Sequence, residues 1–272
     1  MKFSQPEFFL KRREKLLAYK YYSANFDFMQ EALGIVEETL SLPEEELSAS
    51  PPADLMHPTH ERALMMTDFV STCYSAGHEI TYLRSLYPSL LEFWETYAQY
   101  SKAYNDSTYP PSEVAHIALS ETGYYIALRL VSWAILFGQQ ALLARLPPLF
   151  DYNNPARDGL LEQLLARYQA AHEAPSAECT RHQPYLKALK IFAAPSELRS
   201  QLMAEYLEGW YAASRQEPYF DSHKRDSRFT GYWCWEAAAI TITLDIDDSS
   251  YRDAKFYPAD LVEFARKTGL RA

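Results

Sequence analysis

The chain has 272 residues, of which 48% are hydrophobic, 8 are Gly and 16 are Pro. The hydrophobic content excludes a globally disordered chain, and the shortage of Gly argues against large sheets with many tight hairpins. The formal net charge of −10 at pH 7 argues against direct binding of nucleic acid, because an acidic field repels phosphates. The length allows one large domain or two smaller ones.

The negative charge is concentrated in one part of the chain. Residues 21–121 carry 16 acidic and three basic side chains, an excess of 13 negative charges. The first 20 residues are basic, and residues 122–272 are nearly balanced. A concentrated acidic surface attracts basic partners, but it also keeps a protein soluble. The charge pattern alone leaves both interpretations open.

Residues 1–119 are predicted to form an acidic N-terminal helical region, because apolar residues recur at helical spacing. The elements expected here are one long helix or two abutting helices over 5–41, a proline-rich loop over 42–58, a helix with Thr59 as its N-cap that continues past Gly77 to about Tyr87, a further helix over 89–104 with Pro88 in its first turn, and a break over 105–111.

Residues 120–272 are predicted to form a C-terminal helical domain. The elements expected here are a helix that opens at Ser112 and extends to 136, helical residues 139–146 ended by Pro147 and Pro148, and helices over 158–166, 184–192, 195–213, 231–244 and 258–267. Residues 240–244 alternate like a strand, but no second strand pattern is present to pair with them. The sum is an all-α protein of about ten helices in antiparallel pairs, an irregular bundle or solenoid-like array.

Cysteine usage and hydropathy favour a cytoplasmic protein. Cys73, Cys179 and Cys234 are widely spaced, so they suggest neither a disulfide framework nor a zinc site. The first residues form no apolar signal segment, and the apolar stretches are too short to span a membrane. We therefore expect a cytoplasmic protein with no metal and no membrane contact.

Two groups of residues that contain histidine could form a metal site or a catalytic site, and each has a simpler structural interpretation. His57 and His60 lack the H-E-x-x-H spacing of a zinc site, and Pro58 is expected to keep them off one helix face. His223 follows Asp221, but adjacent residues rarely assemble a catalytic triad. The residues therefore predict no enzyme activity, and a hydrolase that uses His223 is the weaker alternative.

An acidic cluster near the C-terminus resembles part of a calcium loop. Asp245, Asp247 and Asp248 lack the ordered spacing and the terminal Glu that such a loop needs. A capped loop after a helix is the expected structure. No phosphate-binding Gly-rich loop is present either, so neither a metal nor a cofactor is predicted.

The most informative stretch of the chain lies in the same region. It reads Tyr219-Phe-Asp-Ser-His-Lys-Arg-Asp-Ser-Arg-Phe-Thr-Gly-Tyr-Trp-Cys-Trp-Glu-Ala-Ala-Ala239, followed by Asp245-Ile-Asp-Asp-Ser-Ser-Tyr251 and Phe256-Tyr-Pro-Ala-Asp-Leu261. The pattern predicts a polar loop, a close-packed helix start at Gly231 and a buried Ala-rich helix. Glu236 in that helix would need a partner, for which Arg228 or Lys224 is available.

This motif resembles the C-terminal domain of the PoNe immunity proteins (PoNi). Ile126–Gly138, Arg157–Leu161 and Tyr206–Tyr211 add to the resemblance. The family more often has a small residue and Phe where this chain has Cys234 and Trp235.

The resemblance implies an all-α protein of two helical regions and no enzymatic activity. It further implies a cytoplasmic antitoxin that binds and neutralises a cognate DNase toxin of the PD-(D/E)xK type. Such toxins pass between bacteria, usually by type VI secretion. A helical adaptor for a non-nuclease partner is the alternative, and the oligomeric state stays undetermined.

We expect the motif to be scaffold, and we expect surface acidic residues to contact the basic surface of the toxin. The scaffold residues are His223, Lys224, Gly231, Tyr232, Trp233, Trp235, Glu236, Tyr257 and Pro258. The candidate toxin contacts are Glu37, Glu38, Glu44, Glu45, Glu46, Asp54, Asp221, Asp247 and Asp248.

Overall fold

The computed structural model describes residues 1–40, 50–169, 174–225 and 229–268, except for the side chains of residues 30, 33–40 and 121. Every regular element in these residues is helical and none is a strand, which confirms the predicted all-α class. The α-helices are α1 Gln5–Lys11, α2 Tyr19–Leu40, α3 Pro52–Ala76, α4 Ile80–Ser107, α5 Glu121–Leu136, α6 Gln140–Leu143, α7 Pro147–Asp151, α8 Gly159–Ala166, α9 Tyr185–Ala193, α10 Ser196–Ala213, α11 Trp235–Thr243 and α12 Ala259–Lys267. A 3₁₀ turn spans Ser222–Lys224.

The chain divides into two compact units. The first contains residues 1–116 and 221–231, and the second contains residues 117–220 and 232–272. The first break lies close to the division expected between residues 119 and 120. The grouping of residues 221–231 with the first unit was not expected from the sequence, because local patterns carry no information on such long-range packing.

The first unit is built on the α3–α4 pair, with α2 packed on α3. Tyr22 and Trp94 are fully buried in its core. α3 ends where Gly77 adopts a left-handed conformation with φ of 95° and donates its N–H to the last turn. A side chain at this position would also collide with the backbone of Lys11, so only Gly fits.

The second unit is built around α11, which packs on α5, α8 and α12. Its residues Ala237, Ala238, Ala239 and Ile240 are completely buried. Small side chains let neighbouring helices approach closely, so the Ala run predicts a central helix. The strand-like residues 240–244 belong to this helix as far as Thr243, which confirms the preferred interpretation.

Three predicted boundaries at prolines are wrong. α3 begins at Pro52 rather than at Thr59, and it continues through Pro58. The hydroxyl of Thr59 donates to the carbonyl of Leu55 at 2.7 Å within this helix, so Thr59 is not an N-cap. α4 runs unbroken through Pro88. Pro147 begins α7 instead of ending a helix, because proline fits a first turn.

Two predicted helix starts are also displaced. Residues 112–120 are not helical, and α5 begins only at Glu121. The side chain of Asn105 accepts from the N–H of Val114 and donates to its carbonyl, so these backbone groups are satisfied without a helix. α11 begins at Trp235 rather than at Gly231, whose φ of 110° does not fit a helix.

Candidate functional site

Glu236 is the centre of a buried polar cluster in the second unit. Its Oε1 accepts hydrogen bonds from the Tyr206 hydroxyl at 2.7 Å, the Trp210 indole at 2.8 Å and the Cys234 thiol at 3.2 Å. The side chain is 1% exposed, and burial raises the pKa of the carboxyl group above its ordinary value. Two donors come from α10 and one from the residue before α11, so this one oxygen ties α10 to α11.

The cation expected beside Glu236 is not among its hydrogen-bonding partners. The Lys224 ammonium lies in the first unit and pairs with Asp221 at 2.7 Å, while Arg228 lies outside the described residues. Uncharged donors satisfy the buried carboxyl oxygen without bringing a second charge out of water. The expectation of an ion pair at Lys224 is therefore corrected.

The motif aromatics pack inside the second unit. Trp235 is 1% exposed and meets Trp133 of α5 edge-on, with ring centroids 5.5 Å apart. Trp233 lies 6.1 Å from Trp235, and Tyr232 meets Tyr211 edge-on at 5.0 Å. Edge-to-face pairs stabilise a core beyond the burial of their area. These rings offer little surface to a partner.

The loop after α11 is held by its own aspartates. Asp248 is buried and accepts from the Arg266 guanidinium at 2.6 Å and from the Tyr257 hydroxyl at 3.3 Å. Asp247 is exposed, and its carboxylate caps the N–H and the hydroxyl of Ser249, which lowers the pKa of Asp247. Only Asp247 of these two candidate contacts therefore presents its carboxylate at the surface.

His223 lies in the 3₁₀ turn of the first unit. Its ring meets Phe229 edge-on at 5.9 Å. Asp221, which precedes the turn, has a left-handed backbone with φ of 54° and pairs with Lys224. These residues form a tight polar turn, in which the Asp221 carboxylate is paired with Lys224.

The acidic candidates of the first unit are only partly described. Asp54 is exposed in the first turn of α3. The side chains of Glu37 and Glu38, and residues Glu44, Glu45 and Glu46, lie outside the described part. The exposed acidic residues that the structure does describe in this unit are Glu7, Asp27, Glu31, Asp54, Glu79, Glu92, Asp106 and Glu113.

Sequence reasoning missed Asp158 as a structural anchor. It is 2% exposed and caps α8 by accepting from the backbone N–H groups of Leu160 and Leu161. Its Oδ2 accepts from the N–H and hydroxyl of Thr180, and the hydroxyl of Tyr124 in α5 donates to Oδ1, the oxygen that caps α8. The N-cap signal was visible as Asp before an apolar helical run, but the distant partners were not.

No group of His, Cys, Asp and Glu that could hold a metal occurs within the described ranges. His57 and His60 both lie in α3, so Pro58 does not separate them from one helix as expected. The ring of His60 instead packs 4.5 Å from that of Tyr97. In the same part of the chain, no helix has both the length and the hydropathy to cross a membrane.

Comparisons with known proteins find a family match for the C-terminal part of the chain. Residues 156–261 match the model of the PoNe immunity proteins (PoNi), C-terminal, which confirms the resemblance found in the sequence. A solved structure described as protein PA2201 from Pseudomonas aeruginosa has a TM-score of 0.76 and 22% identity, over 95% of this chain and 92% of that chain. That likeness establishes the shared fold. No protein with a curated description matches.

Proposed function

From a C-terminal block that matches the PoNe immunity protein family, we propose that this chain is an immunity protein that binds and neutralises a cognate bacterial nuclease toxin. The match over residues 156–261 is the observation that carries the proposal. The finer proposal names the toxin as a DNase of the PD-(D/E)xK type, delivered by type VI secretion and met in the cytoplasm.

Electrostatics supports this partner. A DNase must present a positive groove to phosphates, and a protein with 13 excess negative charges over residues 21–121 has the opposite field. Opposite fields speed association, and an antitoxin must reach its toxin before the genome is cut. The exposed carboxylates of Asp54 and Asp247 are available for such contacts.

The buried groups support binding rather than catalysis. Glu236 and Asp248 have hydrogen-bond partners inside the second unit. The thiols of Cys73 and Cys234 have pKa values raised by burial, which disfavours the nucleophilic thiolate. These groups serve as scaffold, and the proposed activity belongs to the surface.

The test is inhibition of a nuclease by the purified chain. The probe is the protein encoded by the gene next to that of this chain, assayed for cleavage of plasmid DNA. We expect a stable complex and complete inhibition at equimolar protein. A complex that leaves cleavage unchanged would indicate an adaptor, and the absence of any complex would overturn the immunity proposal.

A further inference from the structure

The second unit contains an open groove with a volume of about 450 Å³ that has no role in the proposed function as described so far. α7, α8 and the segment between them form most of its lining. Its apolar walls include Leu119, Pro147, Phe150, Leu161 and Leu165. The volume is in the range of sites that hold a drug-sized molecule or a few side chains.

The rim of this groove has one carboxylate that is already neutralised and one that is not. The Glu162 carboxylate accepts from the Arg157 guanidinium at 2.5 Å and from the backbone N–H of Ser176 at 2.7 Å. Asp151 is exposed at the end of α7 and makes no ion pair with any described residue. The groove therefore carries an uncompensated negative charge beside apolar walls.

Two further observations concern the polar groups of this groove. Partial burial and the nearby Glu162 raise the pKa of Asp151 and Arg157 lowers it, with a net shift upward, so a cation placed beside Asp151 would stabilise its charged form. Gln169 also lines the groove, and its side-chain amide nitrogen is buried without a hydrogen-bond partner among the described residues. A buried donor without an acceptor is costly, so this part of the groove wall is not optimised for the stability of the free chain.

We propose that this groove, lined by α7, α8 and the segment between them, docks a segment of the nuclease toxin that carries an apolar side chain next to Lys or Arg. The apolar side chain enters between Phe150 and Leu165, and the cation pairs with Asp151. This inference rests on the proposed function and places a contact surface in the second unit, outside the acidic part of the chain.

The test fills the groove without touching the core. Ala156 is exposed in the groove lining, so Ala156→Trp adds a large side chain where the toxin segment would lie. The matched control is Ala212→Trp, at an exposed position of α10 outside the groove lining. We expect Ala156→Trp to weaken binding of the protein encoded by the neighbouring gene by at least about ten-fold. The control should bind like the parent.

A second pair of variants keeps the proposal testable if Ala156→Trp fails to fold, as judged by circular dichroism. Asp151→Lys should weaken binding more at low salt than at high salt, whereas Glu205→Lys, at an exposed site on α10, should have little effect. Amide exchange in the complex should slow over residues 147–166. If the parent binds and both groove variants bind equally well, the groove proposal is wrong and the immunity function stands. If the parent itself does not bind, both proposals fail.

Discussion

Glu236 is a carboxyl group enclosed by uncharged donors. Because burial raises its pKa, folding shifts this carboxyl group towards its protonated form relative to the unfolded chain. Its contribution to stability is fully present below the ordinary pKa of 4.5 and is lost as the pH rises through the folded pKa. At neutral pH, Glu236 therefore lowers the stability of the folded state, because its carboxyl group is less easily ionised there than in the unfolded chain.

Glu236→Gln removes the titrating group and keeps an oxygen that can accept from Tyr206 and Trp210. We expect the stability of the variant relative to the parent to improve as the pH rises from about 4 to about 7. Urea unfolding at several pH values measures this difference. Glu263→Gln is the control, because the pKa of exposed Glu263 is lowered by Lys267 and its effect should run in the opposite direction. A pH-independent difference for Glu236→Gln would contradict the assignment.

A second prediction at the scale of residues concerns the ion pair between Asp248 and Arg266. Arg266→Met should destabilise the protein by about 2–3 kcal/mol, because it removes the closer of the two cations at the buried Asp248 carboxylate and leaves only Arg252, at 3.7 Å. Lys267→Met removes the neighbouring cation from an exposed pair with Glu263 and should cost less than about 1 kcal/mol. Chemical denaturation of both variants at neutral pH compares the two costs. Equal losses would mean that burial of Asp248 has little energetic effect.

At the scale of elements, α11 is the helix on which the second unit depends. Trp235 begins it and packs against Trp133 of α5. Trp235→Ala should lower the free energy of unfolding by about 3–5 kcal/mol, through lost burial and the cavity left behind. Leu198→Ala, at a side chain 46% exposed on α10, is the control and should change it by less than about 0.5 kcal/mol. A Trp235→Ala variant that stays stable but loses toxin binding would make Trp235 a contact residue.

The sequence predicted these elements well where the local pattern decided them. α8, α9, α10 and α12 lie within two residues of their predicted bounds, because their apolar spacing and flanking residues agree. Besides the displaced starts at Ser112 and Gly231, the errors are at proline. Pro58 and Pro88 lie inside α3 and α4, where tertiary packing of the α3–α4 pair outweighs the local preference.

The candidate site was less predictable than the fold. The Ala run and the GYW motif indicated a buried helix, but the partners of Glu236 come from α10, about 30 residues earlier. Spacing along the chain cannot identify such partners. For the same reason the sequence offered Asp247 and Asp248 as equivalent, whereas only one of them is exposed.

The whole molecule is distinguished by its uneven charge. Reversing Glu44, Glu45 and Glu46 to Lys should slow association with the toxin at low salt, and the effect should shrink as salt rises. The matched control reverses Glu197, Glu205 and Glu208, three exposed acidic residues of α10, with the same change in net charge. Stopped-flow association rates of the parent and of both triple variants, measured at two ionic strengths, show whether the position of the reversed charges matters. Equal slowing by both triple variants would mean that net charge matters and the position of the acidic excess does not.

All three cysteines are buried, and they are divided between the two units. Cys73 lies in the first, and Cys179 and Cys234 lie in the second. Burial raises the pKa of Cys179 to about 12 and raises those of the other two as well, so a thiol reagent must wait for the chain to open. The rate at which each thiol is labelled therefore measures the opening of the unit that contains it. If toxin binding slows labelling in only one unit, that unit is the one whose opening the bound toxin suppresses.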